Sequence, residues 1–163
     1  MARLKCCREV REMKKATRVL VNWINEKSVK AVDVKSLKFD DAKPNECYQN
    51  MNLFLDNYEN WSMHSGWLVG DFLGERGTAI IPHYWVVNAD REHYDVTPKN
   101  PSDTQSYEYV SDFNIVQYFT KEVQLPVPLK LNLNGTFVAR RKDGSFELIE
   151  KIDYEHLFSL SRQ

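Results

Sequence analysis

The chain has 163 residues, of which 42% are hydrophobic and 12% aromatic, enough for one domain with a real core and too apolar for a disordered segment. A formal net charge of −1 gives no whole-chain reason to expect nucleic acid as a partner. No apolar run approaches the roughly 20 residues that span a bilayer, and the basic N-terminus lacks the apolar stretch of a signal peptide, so a cytoplasmic protein without membrane contact is expected.

Residues 4 to 27 are expected to form one helix. Val10, Met13, Thr17, Leu20 and Ile24 recur at steps of three and four and build an apolar stripe, widened by Val19 and Trp23. Arg8, Arg11, Lys15 and Arg18 form a second stripe at similar spacing. A charged helix face is ordinarily a solvated one; the sharper alternative is a docking surface for an acidic protein partner. Residues 28 to 45 are a connector, with a short strand expected over Val32 to Phe39. Pro44 disfavours helix at the residue before it. A second helix then begins near Asn45 or Glu46, with Asn45 the candidate N-cap and Met51, Phe54, Leu55 and Tyr58 on its core side.

Trp61 to Leu73 is expected as a strand interrupted by Gly66 and Gly70, and Thr78 to Asn88 and Arg91 to Thr97 as two more. Gly74 to Gly77 is a turn and lacks the lysine of a phosphate loop. Lys99 to Ser106 is loop. Tyr107 to Lys121 suits either a helix or an irregular segment, so Tyr107, Tyr109, Phe113 and Tyr118 either pack over a sheet edge or line a cleft. Pro126 and Pro128 oppose regular structure around them. Thr136 to Arg140 and Ser145 to Ile149 flank Asp143-Gly144, a hairpin signal, and Asp153 caps a terminal helix running to Leu160. The organisation expected is a single α+β domain: helix and connector over 1–43, a cysteine helix and a His/Asp sheet over 44–98, and a loop, hairpin and helix over 99–163.

Three cysteines occur, Cys6, Cys7 and Cys47. The odd count and the vicinal pair argue against a disulfide framework, and without a CxxC spacing a structural zinc site is not expected. Cys47 differs from the other two because it falls in the first turn of a helix, where backbone N–H groups and the helix dipole favour an anion. A free thiol is only a few per cent thiolate at neutral pH; a neighbouring imidazole can take its proton and hold the ion pair. His83 is the candidate imidazole. Strand alternation puts His83, Trp85 and Val87 on one face and Tyr84 and Val86 on the other. If Asn88-Ala89-Asp90 is a three-residue hairpin loop, Val87 pairs with Arg91, His93 opposes Trp85 and Asp95 opposes His83. A carboxylate there can bond one imidazole nitrogen and set its tautomer. A two-residue loop would put Asp95 on the wrong face.

Cys47 opening an amphipathic helix, Gly66-Trp67 on a strand, then His83-Tyr84-Trp85-Val86-Val87 and Tyr94-Asp95-Val96-Thr97-Pro98 resemble the transglutaminase-like branch of the papain-like superfamily. That resemblance covers about residues 44 to 98. It implies an α+β papain-like fold with the nucleophile helix packed on an antiparallel sheet. It also implies Cys47 as nucleophile, His83 as general base and acid, and Asp95 as the residue that orients the histidine. The activity implied is a thiol-dependent hydrolase or acyltransferase, working on an amide or ester through an acyl-cysteine without a cofactor. Residues 35 to 46 contain no glutamine, so the Cys47 backbone N–H, with Asn45 or Asn50, are the candidate oxyanion donors. Trp67 and Trp85 are the candidate cleft walls, and a small molecule or an exposed peptide amide is the expected substrate. The competing reading is an inert module of the same fold that binds through its basic helix. A metal site built from His64, His83, His93 and Asp95 is a weaker rival, since their spacing matches no common zinc signature.

Overall fold

The structure is a computed structural model and describes residues 13–162. Its first helix, α1, spans Lys15–Ile24 and buries Thr17, Leu20 and Ile24, the stripe expected from the spacing. The helix begins later than expected, because Met13 and Lys14 are not helical; Arg8 and Arg11 lie outside the described residues, while Lys15 and Arg18 are exposed. The start is fixed by a distant side chain. Glu108 Oε1 accepts from the Lys14 backbone N–H at 2.7 Å and from the Thr17 hydroxyl at 2.6 Å, which places a carboxylate at the positive end of the helix. Asn25, in the left-handed region at φ 54°, ends it by donating its N–H to Val21 O.

The connector holds two strands rather than one, β1 (Lys30–Val32) and β2 (Val34–Ser36), broken at Asp33. Helix α2 follows at Cys47–Asn57, then β3 (Ser62–Phe72), β4 (Thr78–Val87), β5 (His93–Asp95) and β6 (Glu108–Ser111). A short helix α3 (Asn114–Gln117), the meander β7 (Leu129–Leu131), β8 (Phe137–Arg140) and β9 (Phe146–Ile149), and helix α4 (Tyr154–Leu160) complete the described chain. Tyr107 to Lys121 thus divides into strand and short helix. Strand β7 forms where Pro126 and Pro128 argued against regular structure. Pro128 stands just ahead of it, and its carbonyl still accepts from Arg140 N at 3.0 Å, since proline loses only the donor. Asp153 caps α4 by accepting from His156 N, as its position suggests.

The fold is α+β with a mostly antiparallel sheet, ordered β1-β6-β3-β4-β7-β8-β9; β5 pairs with β4, and β2 pairs with β5 in parallel. Its core joins Leu20 of α1, Met51 and Phe54 of α2, and Trp67, Ile80, Tyr84 and Val110 of the sheet to Leu157 and Phe158 of α4. A buried carboxylate organises one side. Asp112 Oδ2 accepts from Trp67 Nε1–H at 2.9 Å and from Tyr154 OH at 2.5 Å, while Oδ1 accepts from Asn114 N and Nδ2. Four donors replace the water that this group loses on burial, and they tie β3, α3 and α4 together.

Strand β4 pairs with β3 along one edge, and its other edge is shared between two partners. Thr78 to Ile80 pair with β7, and Val86 and Val87 pair with β5. Between them the strand forks, and His83 lies in the fork. The hairpin beyond it differs from expectation. The loop is Ala89 to Arg91, closed by Asn88 N–H to Glu92 O at 3.0 Å, with Arg91 N–H to Asn88 O at 3.1 Å and Arg91 at φ 63°. Val87 therefore pairs with His93 instead of Arg91, and the same register carries Asp95 opposite Trp85 instead of His83. Sliding a three-residue loop by one position moves the pairing by two residues, which leaves every side chain on its expected face. The matching loop before Ser145 has Gly144 at its left-handed position, φ 86°. An arginine there carries a Cβ that clashes with its own backbone. Arg91→Gly should therefore stabilise the protein by about 1 kcal/mol, seen as a higher urea midpoint with unchanged slope.

Candidate active site

Asp95 ends β5 and is held from every side. Its Oδ1 accepts from Thr97 N at 2.9 Å, an Asx turn set by the chain's own direction. Its Oδ2 accepts from Tyr109 OH at 2.6 Å and faces His83 Nε2 at 2.7 Å. A carboxylate oxygen accepts, so Nε2 carries the proton and Nδ1 is left for another partner. Cys47 lines the same groove and acts on the His83 ring as a hydrogen-bonding side chain and as a charge. His83, Asp95 and Cys47 are each only 7% exposed. The three residues singled out in the sequence are thus brought together, although the strand register that joins His83 to Asp95 is not the one expected. The bond crosses to a neighbouring position on the same face, a diagonal that long side chains can span.

Burial opposes the charged imidazole of His83, but the Asp95 charge and hydrogen bond, and then Cys47, outweigh it and raise His83 from 6.5 to about 10. Burial likewise pushes Asp95 up, yet the His83 charge and bond, Tyr109 and Thr97 N–H hold it below its ordinary 3.8. The pair is imidazolium and carboxylate at neutral pH. Tyr109 is pushed upward by burial and by the Asp95 charge, so it stays a donor.

Cys47 is the first residue of α2 and a free thiol. The residue ahead of the helix is Glu46, not Asn45, and Glu46 makes no side-chain cap. Asn45 instead adopts φ 64° and lies exposed at the lip of the groove, turning the chain after Pro44 into the helix. The Cys47 backbone N–H belongs to the uncapped first turn and points where an anion is favoured. Asn50, one turn on, has another task. Its Nδ2 hydrogens go to Lys43 O at 2.7 Å and Thr97 Oγ1 at 3.0 Å, while its Oδ1 accepts from Lys43 N at 2.9 Å. No N–H of that amide is left for an oxyanion. Asn50 ties the cysteine helix to the segment that carries Asp95. Helix α2 packs on the sheet through Tyr48 against Tyr84, rings 5.5 Å apart, and Phe54 against Trp61, 5.1 Å apart.

Cys47, His83 and Asp95 open on a groove of about 490 Å³. Leu68, Ile81 and Tyr109 form its floor, side by side on three adjacent strands. The loop from Pro98 to Tyr107 forms one wall, braced by Tyr107 OH to Asp103 Oδ2 at 2.5 Å, by Lys99 Nζ on Gln105 O, and by Ser106 N to Asp71 Oδ2 at 2.9 Å. Neither Trp67 nor Trp85 is a cleft wall; both are fully buried. Trp67 gives its indole N–H to Asp112, and Trp85 gives its own to His93 Nδ1 at 2.8 Å. Trp85 packs instead behind the site, stacked on His83 and edge-on to Tyr109. Gly66 makes this possible: a Cβ there would lie 2.5 Å from the Trp85 ring and 1.9 Å from Val110 O.

The histidines of the rival metal site are otherwise engaged. His93 Nδ1 accepts the Trp85 indole, and His64 Nε2 bonds Ser111 Oγ at 2.6 Å. Burial, and then His93, lowers His64 to about 4. Among the described residues no group of three or more potential ligands could hold a metal ion. Tyr109 lines the groove, one of the two places the sequence allowed it, but its bond to Asp95 and the Asn50–Thr97 clamp were not foreseen. A tyrosine in a stretch of ambiguous secondary structure carries no periodic signal, and Asn50 was placed on the cysteine's face without its partners.

No family model, no curated protein and no solved structure matches this chain. The site's own geometry is what bears on its chemistry.

The paired shifts fix a pH dependence. A raised histidine contributes stability in full below 6.5 and loses it as the pH rises through about 10. A lowered aspartate contributes above 3.8 and loses it as the pH falls through its depressed value. The stability gap between wild type and Asp95→Asn, from urea unfolding across pH, should be widest between about 3.8 and 6.5 and should shrink steadily toward 10.

Proposed function

We propose that the chain is a thiol-dependent hydrolase or acyltransferase, built as the transglutaminase-like branch of the papain-like superfamily is built. The observation that carries this reading is the 2.7 Å bond from His83 Nε2 to Asp95, with Cys47 acting on the same ring at the head of a groove. In this reading Cys47 sulfur, its proton held by His83, attacks the carbonyl carbon of an amide or ester. The C=O electron pair moves onto oxygen, beside the Cys47 backbone N–H. The C–N or C–O bond then breaks as His83 Nδ1 gives its proton to the leaving group, which leaves an acyl-Cys47.

The second half follows from the same electrostatics. Two of the influences that raise His83 come from Cys47, and both involve its thiol or thiolate. Acylation removes them, so the imidazolium gives up its proton more readily, and the neutral ring left after the leaving group departs is a usable base. It then takes a proton from water, for hydrolysis, or from an amine, for transfer, and the C–S bond breaks to restore Cys47. The groove of about 490 Å³ suits a small molecule or an exposed peptide amide.

One observation favours the alternative, an inert module of this architecture that binds through the basic stripe of Arg8, Arg11, Lys15 and Arg18. The Asn50 amide, one helical turn from the nucleophile, has both N–H groups engaged and offers none to an oxyanion. Iodoacetamide labelling separates the two readings. In the enzyme, Cys47 alkylation at pH 6 is faster than that of a free thiol and falls at least tenfold in His83→Ala. In the module, the substitution changes nothing. Turnover of a thiol-directed panel of aryl esters should fall about 10³-fold in His83→Ala and less in Asp95→Ala. Equal, near-unit effects of the two substitutions remove the assigned roles.

A further inference from the structure

The groove does not end at its own wall. Leu125 lines it and also lines a second concavity of about 480 Å³ on the far side, formed by residues 122–128 and by the turn that follows β8. The strip between them is fixed in place. Gln124 O accepts from Tyr84 OH at 2.9 Å, Val127 N donates to Leu157 O at 3.3 Å, and Pro128 O accepts from Arg140 N at 3.0 Å. Tyr84 in turn packs against Tyr48, the residue next to Cys47. The second concavity is therefore a rigid neighbour of the nucleophile's helix.

Its charge is one-sided. Arg140, Arg141 and Lys142 line it, against Glu122 alone. Arg141 is shared with Glu147, Nη2 to Oε2 at 3.4 Å. Arg140 and Lys142 are exposed and make no ion pair among the described residues. Two unpaired cations lining one concavity attract carboxylates, most strongly at low salt.

We propose that the concavity beyond Leu125 is a subsite for an acidic extension of the substrate: a peptide whose scissile amide lies at Cys47 and whose neighbouring carboxylates reach Arg140 and Lys142. This rests on the cysteine reading for its scissile bond, but the subsite can be measured without turnover. The occupant is an extended chain carrying two or more carboxylates, since the cationic end is separated from the sulfur by the Leu125 strip and a single small amide cannot cover both.

The test uses fluorescein-labelled peptides with one Gly-Leu-Gly core and three glutamates, serines or lysines on its N- or C-terminal side. Binding to the full chain carrying Cys47→Ala is read by anisotropy at low salt. The glutamate peptides on one side should bind at least tenfold tighter than the serine peptides, and the lysine peptides more weakly still. The advantage should drop below twofold in Arg140→Glu/Lys142→Glu, and partway in Arg140→Gln/Lys142→Gln, with thermal midpoints showing that both variants fold. Equal binding of all peptides, no binding at millimolar peptide, or a preference that survives charge reversal overturns the subsite. Quenched versions of the peptides with wild-type protein then separate the two levels. Charge-selective binding without cleavage sinks the cysteine reading and keeps the subsite; cleavage blind to charge does the reverse.

Discussion

A charged imidazole and a carboxylate largely withdrawn from water are tolerable only together, and the architecture around His83 and Asp95 answers that constraint. Burial of either charge alone would cost several kcal/mol, so each must find the other and the remaining lone pairs must find donors. Tyr109 and the Thr97 N–H supply those donors. Asn50 then fixes Thr97 to the loop ahead of the cysteine helix. The fork on the free edge of β4 is the place where this is possible: a second continuous neighbour there, opposite β3, would fill the space that the ring, the carboxylate and the sulfur occupy.

Behind the groove lies a second polar layer with a different purpose. Trp85 is held at one end by His93 and at the other by the gap over Gly66, and its ring backs His83. Trp67, on the opposite face of the sheet, reaches Asp112 and with it Tyr154 of the last helix. The two tryptophans use their indole N–H groups to fasten the sheet on both sides. This is why aromatic residues that looked suited to a cleft are found inside, with donors satisfied and no surface to offer a substrate.

Much of this was legible in the sequence, for physical reasons that can be named. Strands β3 and β4 announce themselves by β-branched and aromatic density, and helix α2 by Met51 and Phe54 after Pro44. The shared face of His83 and Asp95 followed from alternation together with a three-residue loop between their strands. Their register did not, because the left-handed residue of that loop is Arg91, and only a glycine would have marked its place. Strand β7 was hidden by its flanking prolines, since a sequence shows the missing donor but not the carbonyl that still accepts. Asn45 resembled a cap because the composition of caps and of left-handed turns overlaps; its φ of 64° decides for the turn. Thr97, which Asn50 bonds, and Asp95, which Tyr109 bonds, lie 47 and 14 residues away, beyond the reach of any local pattern.

Strand β6 deserves its own consequence. Glu108 and its neighbour Tyr109 leave the backbone on opposite sides, one gripping the start of the first helix and the other the carboxylate in the groove. A tug or twist delivered through the start of α1 thus arrives a single peptide unit from the tyrosine that holds Asp95. Mechanically, the strand is an axle with a handle on one side of the sheet and a working bit on the other.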